Sequence, residues 1–453
     1  MAKKKKRRKI HRKTHRKVKQ ISQRNFILLL VATIAMASIA SYLFVTRPTD
    51  VDKLSQTYIE SIDQDTDLKS LVKSSYKNNY SVEDYTIYGE SLKFYHSSNL
   101  SDVDDLMGQN ILLRNVETKE ETVYTFGDGR EDGIKTGSLS AGLYEVYVYD
   151  HFVKKRLYFS KKMHTSTPFE TMRRNKKVNH VSLDADKDYL NDYGISMNKN
   201  YAFISVTENI PKVDTIDVMI DPCGDIYDSD QGQVSSGIDV GSVKEQKKSY
   251  AFAKKVQKYL KSYGLKVELS RDEDGTPSYY GKNGRVGKGY AANAKVFLSV
   301  GFSQDDEINR PYMITSAYSS GALADNVSYL MQKNGLELYN YDTSGQALHQ
   351  DGVVVDSLIQ DTSLKDTKYE YWPQLRESGG KSTFAGSYDS AKENQRYVDS
   401  NGMYGLYFMF CNPYSSDSMN YYKENKDKMA ESLADSIADY FGIGKEETDE
   451  TNN

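Results

Sequence analysis

The chain has 453 residues, of which 38% are hydrophobic and 27% charged, with 37 tyrosines, 15 phenylalanines and one tryptophan. That length calls for two or three domains, the composition excludes a disordered chain, and two cysteines exclude a disulfide scaffold. The formal net charge of −3 hides an asymmetry, because residues 1–24 hold 13 Lys or Arg and no acid, leaving 47 basic against 63 acidic residues over the rest.

Residues 1–25 read as a basic cytoplasmic tail and Phe26–Val45 as a transmembrane helix. Twenty residues without a charge suffice to cross a hydrocarbon core of about 30 Å, and a basic flank stays on the cytoplasmic side. Everything after Arg47 is then extracytoplasmic. Topology accounts for the basic run, so no nucleic-acid partner is expected, and the same charges suit anionic lipid headgroups. The alternative is a cleaved signal peptide, with Ala35-Met36-Ala37 and Ser38-Ile39-Ala40 as small-residue cleavage sites. The length of the apolar run and of the basic region favours an uncleaved anchor. Residues 46–79 carry apolar residues at helical spacing (Leu54, Tyr58, Ile62, then Leu68, Leu71 and Val72), the pattern of a stalk.

From 80 to 210 the pattern changes to short alternating runs. Strands are predicted at Ser91–Tyr95, Ile111–Asn115, Thr122–Phe126, Leu143–Tyr149, Arg156–Phe159 and Tyr201–Val206, with turns at Gly127-Asp128-Gly129 and Ala141-Gly142. Strands at this spacing predict a small all-β, Ig-like sandwich, and the excess of tyrosine over phenylalanine fits half-wet sheet surfaces. Within this region 160–200 reads as a solvated insertion, with a basic stretch at Arg173–Lys177 and an acidic one from Asp184 to Asp192.

Residues 211–443 alternate strands with helices, which predicts an α/β domain with a mainly parallel sheet flanked by helices. The first strand is Val218–Pro222. A polar loop with Gly232 and Gly237 follows, then a helix from Lys244 to Tyr263 ended by Gly264. Its apolar side is Tyr250, Ala253, Val256, Gln257, Leu260 and Tyr263. Further elements are strands at Leu265–Leu269, Val296–Val300 and Tyr404–Phe410, and helices at Arg285–Ala294, Ala322–Asn334 and Lys426–Phe441. Residues 444–453 form an acidic tail.

This second half resembles the zinc-dependent N-acetylmuramoyl-L-alanine amidases of bacterial cell-wall metabolism. The resemblance lies in Ile220-Asp221-Pro222 against the family's I-D-P-G-H-G-G strand, Glu245 at the family's E-K-D helix start, and Val267–Asp274 against its V-x-L-T-R-x-x-D turn. Arg285 to Val300 also fits the family's R-(x)-A-N to S-I-H segment. The resemblance implies a zinc held by two histidines and a glutamate, with a second glutamate on the last strand as general base. Only Glu245 is retained. Gly224 and Gly301 stand at the two histidine positions, and Gly405–Phe410 contains no acid. By the resemblance, then, the domain is a divergent one in which no metal ligand other than Glu245 survives and no cofactor is expected.

Further candidates follow from position. Glu377 in Arg376-Glu377-Ser378-Gly379-Gly380 is a candidate replacement acid, and Arg376 and Asp221 are candidate substrate-binding groups. Asp225, Asp228 and Asp230 lack the spacing and terminal glutamate of a calcium-binding EF-hand loop, and His349 reads as a packing or surface residue. In the fold that the resemblance implies, Cys223 and Cys411 border one cleft, so a disulfide between them is expected in an oxidising compartment. The expectation is thus a single-pass bacterial membrane protein that binds peptidoglycan or a cell-wall or division protein without cutting. The alternatives are an active amidase with rearranged zinc ligands and a structural envelope spacer.

Overall fold

The computed structural model describes residues 68–96, 106, 108–125, 133–162, 168–174, 177–192, 194–208, 215–228, 231–279, 281, 283–304, 307–316, 321–340, 351–361, 367–378 and 402–444. The expected basic tail, transmembrane helix, most of the stalk, His349 and the acidic tail's last nine residues lie outside them. No helix among the described residues is long and apolar enough to cross a membrane.

The β domain opens with one helical turn, α1 (Leu68–Leu71), and continues through β1 (Asn79–Val82), β2 (Asp84–Tyr88), β3 (Ser91–Tyr95), β4 (Asn110–Asn115), β5 (Glu121–Thr125) and β6 (Ile134–Lys135). The long β7 (Gly142–Asp150) and β8 (Val153–Phe159) follow, then β9 (Phe169–Glu170), β10 (Asn179–Asp184), helix α2 (Lys187–Asp192), β11 (Asn200–Tyr201) and β12 (Phe203–Glu208). Nine strands form one sheet with the path β1-β8-β7-β12-β10-β9, and β2-β3-β6 form a second. The two sheets enclose one apolar core, in which Phe94, Ile87 and Ile134 of the smaller sheet meet Leu113, Val146, Phe159, Val181 and Ile204 of the larger. Strand β7 is the hub: it pairs with β4 along one edge and with β8 and β12 along the other.

Two expectations for this half need correction. The end of the stalk belongs to the domain, since Val72 is buried with Leu143, Tyr201 and Phe203, and Tyr76 packs on the same cluster. The supposed solvated insertion at 160–200 contains β10, a fully paired strand between β12 and β9 whose residues are almost all buried. Its Asn179-His180-Val181-Ser182-Leu183-Asp184 alternation is that of a strand, but buried polar side chains at His180, Ser182 and Asp184 give it the look of a polar surface. The basic stretch is also placed by structure. Arg173 pairs with Asp217 at 2.6 Å, and Arg174 pairs with Glu90 at 2.6 Å while donating to the Phe441 carbonyl at 2.8 Å. Together with Gly89 N–H, which donates to the Gly402 carbonyl, these contacts join the β domain to the α/β domain along a charged seam.

The α/β domain begins with β13 (Val218–Pro222). The polar loop expected after it is two small hairpins, β14 (Ile226–Asp228) with β15 (Gln233–Ser235), and β16 (Asp239–Val240) with β17 (Val243–Lys244). Helix α3 (Glu245–Lys261), β18 (Val267–Leu269), helix α4 (Arg285–Ala291), β19 (Val296–Phe302), β20 (Tyr312–Thr315) and helix α5 (Ala322–Lys333) follow. The chain closes with β21 (Val353–Val355), the hairpin β22 (Leu358–Asp361) and β23 (Thr367–Glu370), helix α6 (Pro373–Ser378), β24 (Tyr404–Cys411) and helix α7 (Ser416–Tyr440). Helix α7 starts ten residues before the expected Lys426, where Ser415 caps it by accepting from the Ser418 N–H.

The six-stranded sheet runs β18-β13-β19-β24-β20-β21. Every pairing is parallel except β20 with β24, as expected for a mainly parallel sheet. Helices α3, α5 and α7 cover one face through Phe252, Val256, Leu260, Leu323, Val327, Leu433 and Ile437. The other face carries α4 and α6 through Val286, Tyr290 and Leu375.

Candidate functional site

At the carboxyl ends of β13, β19 and β24 lies a cleft of about 840 Å³, the position where an open α/β sheet exposes backbone termini and loops to a ligand. Gly224, Glu245 and Cys223 line it, as do Trp372, Gln374 and Tyr407. Strands β13 and β19 are buried throughout, so only their ends open onto the cleft.

Glu245 opens α3 with its carboxylate turned into the domain, 4% exposed. One oxygen accepts from the Phe302 N–H at 2.8 Å and the other from the Ile238 N–H at 2.9 Å. The carboxylate therefore ties the end of β19 to the hairpin segment ahead of α3. Burial pushes its pKa up, against the two N–H groups and the guanidinium groups of Arg285 and Arg271.

The two glycine positions are closed to larger side chains. A Cβ on Gly301 would stand 2.8 Å from the Cys223 Cβ, 2.8 Å from the Tyr407 hydroxyl and 2.9 Å from Glu245 Oε1. Gly224 has φ +137°, and a Cβ there would stand 2.6 Å from the Gln246 Cα. Gly237 presses in from the hairpin side, its Cβ position 2.7 Å from Glu245 Oε2. The Cys223 thiol donates to the Tyr407 hydroxyl at 3.4 Å, and its pKa is pushed well up by burial and by the carboxylates of Asp221 and Glu245.

This donor set does not fit a catalytic zinc, which needs three deprotonated or neutral-nitrogen ligands and an open position. Glu245 already spends both oxygens on backbone N–H groups, and Gly224 and Gly301, which flank it, carry no side-chain donor. Among the described residues no group of three His, Cys, Asp or Glu side chains is arranged to hold a metal ion.

Other expected site residues are placed differently. Asp221 is fully buried behind the cleft, where it accepts from Ser270 and from Ser299 at 3.3 Å and pairs with Arg285 at 3.5 Å. It serves packing, not a substrate. Arg285 and Arg271 donate to the carbonyls of Pro222, Cys223, Asp225 and Gln246, which fixes the loop after β13, and also to those of Pro277, Asp272 and Glu273. Arg376 and Glu377 pair with each other at 3.4 Å on α6, and neither lines the cleft. Asp225 accepts from the Gly237 N–H across the base of the β14–β15 hairpin and Asp228 from the Gln231 N–H within its turn, while Asp230 lies outside the described residues.

The expected disulfide is absent, since Cys223 and Cys411 are both free and buried. The cause is strand alternation with a bulge. Tyr407 and Met409 of β24 face the cleft side together with Cys223. The register of β19 against β24 then slips between Gly301 and Phe302, and Cys411 falls on the opposite, helix-covered face beside Phe410.

Sequence reasoning missed the wall of the cleft opposite Glu245. Trp372 precedes Pro373, which starts α6. Its ring is held edge-on between Tyr371 at 5.3 Å and Tyr407 at 5.2 Å. Its backbone N–H donates to Asp356 at 3.0 Å, and burial lifts the Asp356 carboxyl to about 6. The signal available was that the chain's one tryptophan stands directly before a proline.

No family model and no curated protein matches the chain. Solved structures similar to about half of it include N-acetylmuramoyl-L-alanine amidases. The catalytic domain of CwlV from Bacillus (Paenibacillus) polymyxa var. colistinus is 17% identical, with 51% of this chain and 100% of that chain aligned at a TM-score of 0.32. AmiC2 of Nostoc punctiforme is 18% identical over 50% of this chain and 97% of that chain at 0.30. The amidase from Clostridium difficile 630 is 15% identical over 51% and 98% at 0.31.

Proposed function

We propose that this is a membrane-anchored cell-envelope protein whose α/β domain, built on an amidase-like plan, binds peptidoglycan without hydrolysing it. The observation that carries the reading is the Glu245 carboxylate. At the position where the resembling family has a metal ligand, both of its oxygens accept backbone N–H groups, and the neighbouring glycine positions are packed shut, Gly301 by Cys223 and Tyr407 and Gly224 by Gln246. An open cleft with an aromatic wall remains, which suits binding better than metal-assisted hydrolysis. In this reading Phe26–Val45 is the anchor and the Ig-like β domain a spacer that presents the cleft outside the membrane.

The test uses full-length protein in detergent. Metal content is measured by mass spectrometry, purified sacculi are pelleted with the protein, and released stem peptides are separated by chromatography. The expected result is co-pelleting with no stoichiometric zinc and no release. Stoichiometric zinc with release that depends on Glu245 would establish an active amidase instead, and failure to pellet would leave the spacer role.

A further inference from the structure

The cleft's open wall carries two features that point to a ligand. Trp372, held edge-on between two tyrosines, is half-buried at the rim, and Tyr414, 57% exposed, lines the same cleft. At the second residue of α6, Gln374 is 2% exposed and lines the cleft, yet its side-chain oxygen has no hydrogen-bond partner among the described residues. A buried amide oxygen left unpaired carries a desolvation cost that a ligand N–H or O–H would remove.

Charge decides between the two halves of a peptidoglycan ligand. A stem peptide carries carboxylates and needs cationic partners, but the described lining contains no Lys or Arg and does contain Asp239 and Glu245. Lys244 lies close by, but its ammonium is taken up by Asp239 at 2.6 Å. A sugar ring is neutral, offers axial C–H groups to an aromatic face, and presents equatorial hydroxyl or acetamido donors to an amide oxygen.

On the reading that the domain binds peptidoglycan, we infer that the cleft takes the glycan strand and not the stem peptide, with Trp372 as the stacking surface and Gln374 as the acceptor for a sugar N–H or O–H.

The chain's one tryptophan lies in the cleft, so its fluorescence reports occupancy directly. Full-length protein in detergent is titrated with chitotetraose, with cellotetraose and with a free tetrapeptide stem. The expected result is a saturable fluorescence change with one or both neutral oligosaccharides and none with the peptide. The chitotetraose and cellotetraose arms separate an acetamido donor from a hydroxyl donor. Gln374→Leu should weaken oligosaccharide binding about tenfold with an unchanged thermal midpoint, and Trp372→Ala should abolish it by calorimetry. A response to peptide alone would overturn the inference while leaving peptidoglycan binding intact. Sacculi that pellet the protein while neither oligosaccharide binds would also overturn it. If sacculi, oligosaccharides and peptide all fail to bind, the parent reading fails with it.

Discussion

The Glu245 carboxylate accepts a 2.8 Å hydrogen bond from the backbone N–H of Phe302, across 57 residues of chain. With its second oxygen on Ile238 N–H, the side chain at the start of α3 acts as a clasp between the last residue of β19 and the hairpin segment ahead of the helix. Glu245→Gln puts an amide N–H₂ against one of those donors and leaves it buried and unpaired. The expected cost is about 1–3 kcal/mol in urea unfolding, and Glu245→Ala should cost more because both donors are orphaned. EDTA should leave the wild-type midpoint unchanged, whereas a metal ligand would show a chelator effect.

Placing histidine at the two glycine positions should not create a metal site. At Gly301 the new Cβ meets the Cys223 Cβ at 2.8 Å, and a Cβ carbon cannot swing away as a side-chain tip can. At Gly224 the φ of +137° is strained for any L side chain, and the Gln246 backbone blocks the space. Gly301→His should cost about 3 kcal/mol by thermal unfolding, and the Gly224→His/Gly301→His pair should hold no stoichiometric zinc by elemental analysis.

The contrast between these two positions and Trp372 shows what was legible in the sequence. Apolar runs and the order of Asp221, Glu245, Arg271 and Arg285 placed the strands of the α/β sheet and the cleft at their ends, because a parallel strand buried on both faces is a continuous apolar word. Sequence also showed glycine, with no side-chain donor, at Gly224 and Gly301. It could not show that the space beside Gly301 is filled, since Tyr407 comes from a strand remote in the chain. The cysteine pair failed for a related reason. Strand alternation alone does not reveal a bulge, and the slip at Gly301/Phe302 decides which face Cys411 occupies. In the β domain, β10 went unread because its buried Ser182 and Asp184 mimic a solvated stretch.

Asp184 should set a distinctive pH dependence. Its carboxyl is buried in β10 against Ser205 at 2.5 Å and Ser182 at 3.4 Å, and burial raises its pKa to about 6. A folded-state pKa raised above the unfolded 3.8 favours the protonated form in the fold, so stability from this group is complete at low pH and falls as pH rises through about 6. Asp184→Asn keeps the shape and cannot ionise. The variant should match the wild type below about pH 4 and exceed it by about 1–3 kcal/mol above about pH 7, read from urea midpoints across that range.

The seam between the two domains should make them unfold as one. Arg174 reaches in two directions, to Glu90 of the β domain at 2.6 Å and to the carbonyl of Phe441 just past α7 at 2.8 Å. Arg173 adds a 2.6 Å pair to Asp217 at the entry to β13. Glu90 is 4% exposed, so removing its guanidinium partner leaves a buried charge that the Lys295 ammonium compensates only in part. Calorimetry of the wild type should show a single transition for residues 68–444. Arg174→Ala should lower stability by about 3 kcal/mol and separate the β-domain and α/β-domain transitions, because the contact that couples them is lost along with the pair energy. Arg174→Lys should fall between the two, since an ammonium keeps the charge on Glu90 but cannot span to the Phe441 carbonyl with the same fork. Two separate transitions already present in the wild type would mean that the seam does not couple the domains.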